Sequence, residues 1–305
     1  MDVSIIIISY NTCRLTLECI ESVYKQTEDI DFEIIVVDNT SSDGSADEIA
    51  KKYPKVILLR SKENLGFARA NNLAADQSTG DYLLLLNSDT VVLEGSIQKL
   101  FSFAESRPDA GIFGGSTFFA DGSRNPSSCW SKPTLWSTFC IALGLTFLFR
   151  KTRVFNSESY TWWDWSIPRE VDIISGCFLL IRKKLWDKLS GFFPDFFMYG
   201  EDADLCLRSW NNGSKCIVYP DAKIVHYGGA SDNVHAEKMI KLFIGKNMFL
   251  YKHNLSKKIM PYLYDLWAIN RLLAYYILMK IERSYMGKYN SWMEIFSNKK
   301  KWHFY

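Results

Sequence analysis

Four consecutive leucines, Leu83 to Leu86, constrain the fold of this 305-residue chain more than any other feature. A strand with one wet face alternates apolar and polar residues. An unbroken apolar run therefore predicts a strand buried on both faces of a mostly parallel sheet. Asn87, Ser88 and Asp89 follow the run directly. Open α/β sheets bind ligands at the carboxyl ends of their strands, so these polar residues indicate either a ligand site or an Asx turn before the next helix.

Strands and helices alternate along the first part of the chain. Apolar runs predict strands, and helical periodicity predicts helices: strands at 3–9, 32–37, 56–59 and 81–86, and helices after Thr12, over 46–53 and over 67–77. This spacing predicts βαβ units with right-handed crossovers and a parallel sheet. The polar strand ends Ser9–Asn11, Asp38–Asn39 and Asn87–Asp89 then gather at one edge of the sheet, which is the expected ligand crevice.

Beyond residue 110 the pattern is less regular. Residues 135–149 are strongly apolar but too few for a membrane span, so we predict one buried or interfacial helix there. The other predicted elements are strands at 111–119, at 171–181 with a break at Ser175 and Gly176, at 215–219 and at 223–226, and helices at 182–189 and from Glu201.

Cysteine usage and the first residues bear on the compartment. Seven cysteines occur without a CxxC pair, which disfavours a disulfide framework or a cysteine zinc site and is typical of a reducing compartment. The chain opens MDVSIIIISYN, which has neither the basic region nor the leucine-rich core of a secretory signal. We therefore expect a cytoplasmic protein.

Charge is distributed unevenly. Residues 236–305 contain 13 Lys and Arg against 4 Asp and Glu, whereas residues 1–235 contain 23 against 30. The basic part is aromatic and predicted to be helical, with an apolar stripe at helical spacing formed by Leu266, Ile269, Leu273 and Ile277. This composition suits an anionic membrane surface or a nucleic acid, and of the two we expect the membrane surface and no nucleic-acid partner. A solvated basic face, or packing against the rest of the chain, is the alternative.

Six short polar motifs occur in a fixed order. They are Ser-Tyr-Asn (9–11), Val-Asp-Asn (37–39), Ser-Ser-Asp-Gly-Ser (41–45), Asn-Leu-Gly-Phe-Ala-Arg-Ala-Asn-Asn (64–72), Leu-Asn-Ser-Asp-Thr (86–90) and Gly-Glu-Asp-Ala-Asp-Leu-Cys-Leu-Arg (200–208). Each motif alone is a weak signal. Together they resemble family 2 glycosyltransferases, and within that family the rhamnosyltransferase-like branch.

The resemblance implies a GT-A fold, which is a Rossmann-like α/β fold with a mostly parallel sheet flanked by helices. Its catalytic domain would cover residues 1–235, with a nucleotide-sugar-binding half at 1–115 and an acceptor half at 116–235. Residues 236–305 would form a helical, basic and aromatic C-terminal extension.

The resemblance also implies a dTDP- or UDP-sugar donor and a divalent cation, Mg²⁺ or Mn²⁺, that neutralises the leaving diphosphate. Asp89 occupies the last position of the DxD-type motif and is the expected metal ligand. Asn87 stands where the fullest motif has an aspartate, so we expect it to contact ribose or phosphate. Asp38 would accept a hydrogen bond from the base imide, with a turn aspartate at the strand end as the alternative. Ser9 and Tyr10 would line the base.

Three further residues take roles from the same resemblance. Ser88 belongs to the donor site, and Arg69 would reach the base or the diphosphate, with an exposed helix arginine as the alternative. His226, in the sequence IVHYGG, matches a histidine that completes the metal site in some relatives. A structural histidine is the alternative.

The acceptor hydroxyl loses a proton as it attacks the anomeric carbon, so an inverting enzyme needs a carboxylate within reach. Glu201 and Asp202 match the family's acidic acceptor-side motif, with Asp202 as the base and Glu201 orienting a hydroxyl or the base itself. Acids at a helix start are otherwise capping residues. Asp204 is expected to face away or to pair with Arg208.

The expected function is transfer of a sugar, best L-rhamnose from dTDP-L-rhamnose, to a hydroxyl of a growing, lipid-linked cell-surface polysaccharide at the inner face of the membrane. The alternatives are a transferase of the same fold that uses UDP-hexose or UDP-HexNAc and a nucleotide-sugar-binding scaffold without activity. The sequence leaves open whether the protein is a monomer or a homo-oligomer.

Overall fold

The computed structural model describes residues 1–228, 235–255 and 258–303. Its strands are β1 Val3–Ser9, β2 Phe32–Asp38, β3 Ile57–Arg60, β4 Tyr82–Asn87, β5 Thr90–Leu93, β6 Ala110–Phe118, β7 Cys129–Trp130, β8 Arg169–Glu170, β9 Ile173–Ile174, β10 Phe178–Arg182 and β11 Lys215–His226. Its α-helices are α1 Cys13–Gln26, α2 Ser45–Lys52, α3 Gly66–Ala75, α4 Ser96–Glu105, α5 Leu135–Ala142, α6 Leu145–Leu148, α7 Lys183–Leu189, α8 Glu201–Asn211, α9 His235–Lys252, α10 Met260–Ile281 and α11 Met286–Ser297.

The main sheet has the strand order β3-β2-β1-β4-β10-β6-β11-β5, with β8 paired to β11. Strands β1 to β4 are parallel, as βαβ crossovers require, and β6 and β11 are also parallel. β10 runs antiparallel between β4 and β6, and β5 runs antiparallel to β11. The predicted α/β fold, a mostly parallel sheet flanked by helices, is confirmed.

The leucine run lies at the centre of this sheet. Leu83 to Leu86 are all at most 2% exposed, because β4 is paired on both sides and covered on both faces. The predicted strands and helices up to residue 87 are each present within a few residues of their expected bounds.

Three local expectations were wrong. Residues 135–149 form two helices instead of one, because Gly144 adopts a left-handed φ of 73° between α5 and α6. The alternative of an Asx turn that leads directly into the next helix is also wrong, because residues after Asp89 first form the short strand β5 before helix α4 begins. The two predicted strands at 215–219 and 223–226 are one strand, β11, with an irregular register near its middle.

The chain divides into two compact units. Unit 1 comprises residues 1–130, 164–197 and the described part of 201–231, and it contains the main sheet and its apolar core. Unit 2 comprises residues 131–163, 198–200 and the described part of 232–305. Residues 131–163, which the sequence assigns to the acceptor half, thus cluster with the C-terminal helices. The division into donor half, acceptor half and extension stays a prediction.

Unit 2 is helical and has an aromatic core. The Phe243 ring lies 5.3 Å from the rings of Tyr264 and Trp267 and 5.1 Å from that of Trp302, measured between centroids. Lys246 of α9 pairs with Glu158 at 3.3 Å, which joins the 131–163 segment to the C-terminal helices. None of the described helices combines the length and apolar composition needed to cross a bilayer.

Candidate active site

Three predicted site residues lie at the carboxyl ends of neighbouring parallel strands. Ser9 of β1 is in register with Asp38 of β2, and Ile8 is in register with Asn87 of β4. The backbone N–H of Asn39 donates to the Ser9 carbonyl at 2.8 Å, which continues the pairing past the end of β2. The sheet thus brings the first, second and fifth motifs to one edge, as the crevice prediction requires.

Asp38 carries an unused acceptor at this edge. It is buried, and its Oδ2 accepts a hydrogen bond from the backbone N–H of Ser41 at 3.2 Å. Its Oδ1 is buried and has no hydrogen-bond partner among the described residues. A buried carboxylate oxygen without a donor is costly unless a ligand supplies one. Asp38 therefore offers a buried acceptor that the N–H group of a ligand could satisfy.

Ser9, Tyr10 and Ser88 differ in what they present. The Ser9 hydroxyl is buried and lies 3.0 Å from the Thr16 hydroxyl, so it faces helix α1. The Ser88 hydroxyl is also buried and lies 3.1 Å from that of Thr12. Tyr10 is 36% exposed at the strand end. Of the three side chains, Tyr10 is therefore the one most open to a ligand.

Asn39 fixes the loop that precedes helix α3. Its side-chain oxygen accepts from the Leu65 backbone N–H at 2.8 Å, and its Nδ2 donates to Asn64 at 2.9 Å. Gly66 has a φ of 74°, and a Cβ there would lie 2.4 Å from the Phe197 carbonyl, so only glycine fits. Arg69 follows on an exposed face of α3, where its Nε donates to the Leu65 carbonyl at 3.2 Å.

Asp89 and His226 face each other across the end of the sheet. The Asp89 Oδ1 and His226 Nε2 atoms are 3.2 Å apart, because β5 and β11 pair antiparallel and place His226 opposite Thr90. The Asn87 side-chain nitrogen lies 3.4 Å from the same His226 atom. His226 is more than 130 positions from both Asn87 and Asp89 in the sequence, so the fold brings it to them.

The electrostatics of this pair favour its charged form. Burial alone would raise the pKa of the Asp89 carboxyl, but the hydrogen bond and positive charge of His226 outweigh burial, and the pKa falls below its ordinary value. Burial alone would lower the pKa of His226, but the neighbouring Cys177 sulfur and Asp89 raise it to about 10. Without a metal, His226 is therefore a protonated imidazolium paired with the Asp89 carboxylate, and it would have to lose that proton to coordinate a cation.

The Asp89 carboxylate and the His226 imidazole would supply only part of the ligand set of a divalent cation. A carboxylate oxygen and an imidazole nitrogen are both ligands of Mn²⁺, and oxygen ligands suit Mg²⁺. The described residues contain no group of three or more His, Cys, Asp or Glu side chains placed to hold a metal ion. A cation held by Asp89 and His226 therefore needs further oxygen ligands, of the kind that a diphosphate supplies.

Glu201 and Asp202 begin helix α8 but lie in different surroundings. Glu201 is buried, and its Oε2 has no partner among the described residues. Burial and the neighbouring Asp202 carboxylate raise the pKa of Glu201 well above its ordinary value. Asp202 is partly exposed, and desolvation raises its pKa to about 6 against the backbone hydrogen bonds that it accepts. A pKa of about 6 leaves Asp202 mostly ionised at neutral pH, the form in which a carboxylate can accept a proton.

Residues 175–177 link Asp202 to the end of strand β4 at Asn87. The Gly176 backbone N–H donates to Asp202 Oδ2 at 3.2 Å, and the Cys177 carbonyl accepts from the Asn87 N–H at 3.1 Å. A Cβ on Gly176 would lie 3.2 Å from the Phe67 ring and 3.8 Å from the Asp202 Cβ. The sequence showed this segment only as a break in an apolar run. Its role depends on tertiary contacts that no local pattern encodes.

Two further contacts position α8 and α3. Asp204 pairs with Arg208 at 2.6 Å, so the predicted i, i+4 pair is confirmed, and Arg208 also donates to the carbonyls of Leu189 and Gly191. The Asn72 side chain exchanges two hydrogen bonds with the Phe192 backbone, at 2.8 and 2.9 Å. Both contacts hold the aromatic 191–197 loop, and the second ties it to the fourth motif.

Comparisons with known proteins show which family this chain belongs to. The family model described as Glycosyl transferase family 2 matches residues 4–189, which is more than half of the chain. The N-acetylglucosaminyl-diphospho-decaprenol L-rhamnosyltransferase of Mycobacterium tuberculosis is 29% identical over 212 residues. That match covers 64% of this chain and 66% of the relative, so about a third of the relative lies outside it.

Two more proteins are similar over a larger share of the chain. Rhamnosyltransferase WbbL of Escherichia coli (strain K12) is 26% identical over 258 residues, which are 82% of this chain and 92% of WbbL. The mannosyltransferase PcManGT from Pyrobaculum calidifontis, solved with GDP-Man and Mn²⁺, superposes with a TM-score of 0.61 at 18% identity. The superposition covers 99% of this chain and 86% of PcManGT, and at this identity it concerns the fold. This chain is a member of glycosyl transferase family 2.

Proposed function

We propose that this protein is an inverting, metal-dependent glycosyltransferase that moves a sugar from a nucleotide-sugar donor to a hydroxyl of a lipid-linked glycan. The observation that carries the proposal is the contact chain through residues 175–177. It joins the Asp202 carboxylate to the strand end that bears Asn87. The proposed general base and the strand end that would bind the donor are then held by the same backbone segment, residues 175–177.

Asp38 would recognise the base of the donor. Its buried Oδ1 lacks a partner among the described residues, and the imide N–H of uracil or thymine supplies the missing donor. Tyr10 is open to the same edge and would lie against the base. Ser9 and Ser88 would act through the hydroxyl contacts that shape the strand ends, and Arg69 would reach the donor from the exposed face of α3.

Asp89 and His226 would hold the divalent cation, with Asn87 beside them. When bound, such a cation neutralises the negative charge that grows on the leaving diphosphate. PcManGT was solved with Mn²⁺, which supports a divalent cation here, and Mg²⁺ fits the oxygen ligands equally well.

Asp202 would accept the proton of the acceptor hydroxyl as its oxygen bonds to the anomeric carbon. The bond from that carbon to the diphosphate breaks on the opposite face, so the configuration inverts. The Gly176 and Ala203 N–H groups, at 3.2 and 2.8 Å, orient the two carboxylate oxygens. Glu201 is buried with a raised pKa, so it would orient the acceptor or Asp202 in place of taking the proton.

The sugar and the acceptor follow from the relatives' printed activities. Two similar proteins are rhamnosyltransferases, and one of them acts on a decaprenol-linked acceptor. L-Rhamnose from dTDP-L-rhamnose is therefore the first donor to test, and a lipid-linked glycan at the inner face of the membrane is the first acceptor. A UDP-hexose or UDP-HexNAc donor is the alternative.

A thermal-shift screen of dTDP- and UDP-sugars, with and without Mn²⁺, tests this proposal. A ligand that binds the native state raises its melting temperature. We expect one donor to stabilise the protein, and to do so more strongly with Mn²⁺. Asp38→Asn should reduce that shift. If no nucleotide sugar changes the melting temperature under either condition, the proposal is wrong.

A further inference from the structure

Helices α5, α6 and α10 of unit 2 expose large apolar side chains. On α6, Phe147 and Leu148 are 62% and 69% exposed. On α10, Leu273 and Ile277 are 58% and 60% exposed and lie one helical turn apart. These values are high for side chains of this type, which bury themselves when the fold permits. The predicted apolar stripe on α10 is therefore largely open to solvent instead of being packed into a core.

The two helical segments lie side by side. The Asn270 side chain of α10 donates to the Ala142 carbonyl at the end of α5, at 2.7 Å. On α5, Trp136 stacks on Phe139 with ring centroids 5.9 Å apart, and both rings are exposed by more than a third. We call the exposed apolar side chains of α5, α6 and α10 the apolar helix surface.

Positive charge lies beside these apolar residues. Residues 135–157 and 266–281 contain no Asp or Glu, and Arg150, Lys151 and Arg153 are exposed directly after α6. The Arg150 guanidinium lies 4.4 Å from the Phe147 ring centroid, and the Lys280 ammonium lies 5.2 Å from that of Tyr276. A cation next to an exposed aromatic ring suits a membrane interface, where the apolar body can enter the acyl region and the charge can stay among the headgroups.

We propose that the apolar helix surface binds an anionic lipid bilayer, with α5, α6 and α10 lying in the interface and no helix crossing it. The composition of unit 2 favours an anionic bilayer as the partner of this surface, because the unit contains 17 Lys and Arg against 6 Asp and Glu. Each basic residue near an anionic membrane adds to the attraction. A second copy that docked by the same surface would instead bring like charges together.

The inference rests on the proposed function only for its purpose, which is to bring the enzyme to a lipid-linked acceptor. Lipid binding itself is measured without a sugar donor. Failure of lipid binding therefore leaves sugar transfer to be tested separately, and absence of transfer leaves the vesicle result standing.

The test is co-sedimentation of the full chain with vesicles of phosphatidylcholine alone or mixed with phosphatidylglycerol. We expect stronger binding to the anionic vesicles and weaker binding at high salt. Phe147→Ser combined with Ile277→Ser should lower vesicle binding about tenfold or more, since two apolar side chains lose their contact with lipid. Both residues are exposed, so the melting temperature should hardly change.

Ile167→Ser is the matched control. Ile167 is 62% exposed but lies in unit 1, so its loss should leave vesicle binding unchanged. Unchanged binding by the double variant overturns the proposal, as does an equal loss in the control. A change of oligomeric state in the double variant without vesicles, with lipid binding intact, would assign the surface to a second copy and also overturn it.

Discussion

The two units of this chain differ in the sign of their charge and in how much apolar surface their helices expose. Unit 1 buries its apolar residues in a central sheet and has 19 Lys and Arg against 28 Asp and Glu. Unit 2 exposes large apolar residues on three helices and has 17 basic against 6 acidic residues. Chemistry needs carboxylates in a defined geometry, whereas membrane attachment needs apolar and positive surface. Under the two proposals above, different residues carry these two tasks, and mutation should separate them.

Replacing the proposed base should give the largest effect and separate the two tasks most sharply. We expect Asp202→Asn to lower the rate of transfer by about 10² to 10⁴, because the acceptor hydroxyl loses its proton acceptor. Donor binding and vesicle binding should persist. Steady-state kinetics measure the rate of transfer, and co-sedimentation measures vesicle binding. Asp221→Asn, which removes an exposed carboxylate of β11, is the control, and a near-native rate for Asp202→Asn would refute the assignment.

Loss of the cation should come next. We expect a chelator to stop transfer and added Mn²⁺ to restore it, and Asp89→Ala to lower the rate about a hundredfold or more, since several kcal/mol of charge stabilisation are lost. A Mn²⁺ titration of both proteins measures this. Full activity of the chelated native protein would show that the pair of Asp89 and His226 serves the fold alone. Vesicle binding should not respond to Mn²⁺ removal in either case.

Asp38→Asn should weaken donor binding about tenfold. The amide keeps the shape of the side chain and can still accept from Ser41, but a hydrogen bond from the base to a charged acceptor is worth about 1.5 kcal/mol or more. Calorimetric titration with the nucleoside diphosphate alone measures the effect. An unchanged dissociation constant would mean that the unpartnered oxygen faces something other than the base.

The pH profile should show the smallest of these effects. With the pKa of Asp202 raised to about 6, the base is ionised above that pH and protonated below it. We therefore expect kcat/KM to be level above about pH 6 and to fall about tenfold for each unit below it. Donor thermal shifts measured across the same range show whether the protein stays folded. A level profile well below pH 6 would contradict the role of Asp202.

Much of unit 1 could be predicted because its signals are local. The runs at Val3–Ser9 and Leu83–Leu86 are buried on both faces and contain little else but apolar residues, so their period and length identify strands. The strand ends then follow from topology, which places Asp38 and Asn87 at one edge. The basic and aromatic composition of residues 236–305 was equally plain in the sequence.

The parts that could not be predicted depend on distant contacts or on one residue's backbone. β5 is only four residues long and becomes a strand because β11 pairs with it. Gly144 divides α5 from α6 through a positive φ that an apolar run conceals. The roles of Gly176 and Asn72 arise from hydrogen bonds to Asp202 and Phe192, which lie far along the chain. Local pattern carries no information on such pairs.

The most direct test of the central claim is transfer itself, measured on the full chain with dTDP- and UDP-sugars, Mn²⁺ and a polyprenyl-diphosphate-linked acceptor in anionic vesicles. Mass spectrometry of the acceptor reports the product. We predict that one donor adds a single sugar to the acceptor, that the new linkage has the inverted anomeric configuration, and that Asp202→Asn forms almost none. A donor that binds and stabilises the protein but is never transferred would contradict the account and identify a nucleotide-sugar-binding scaffold.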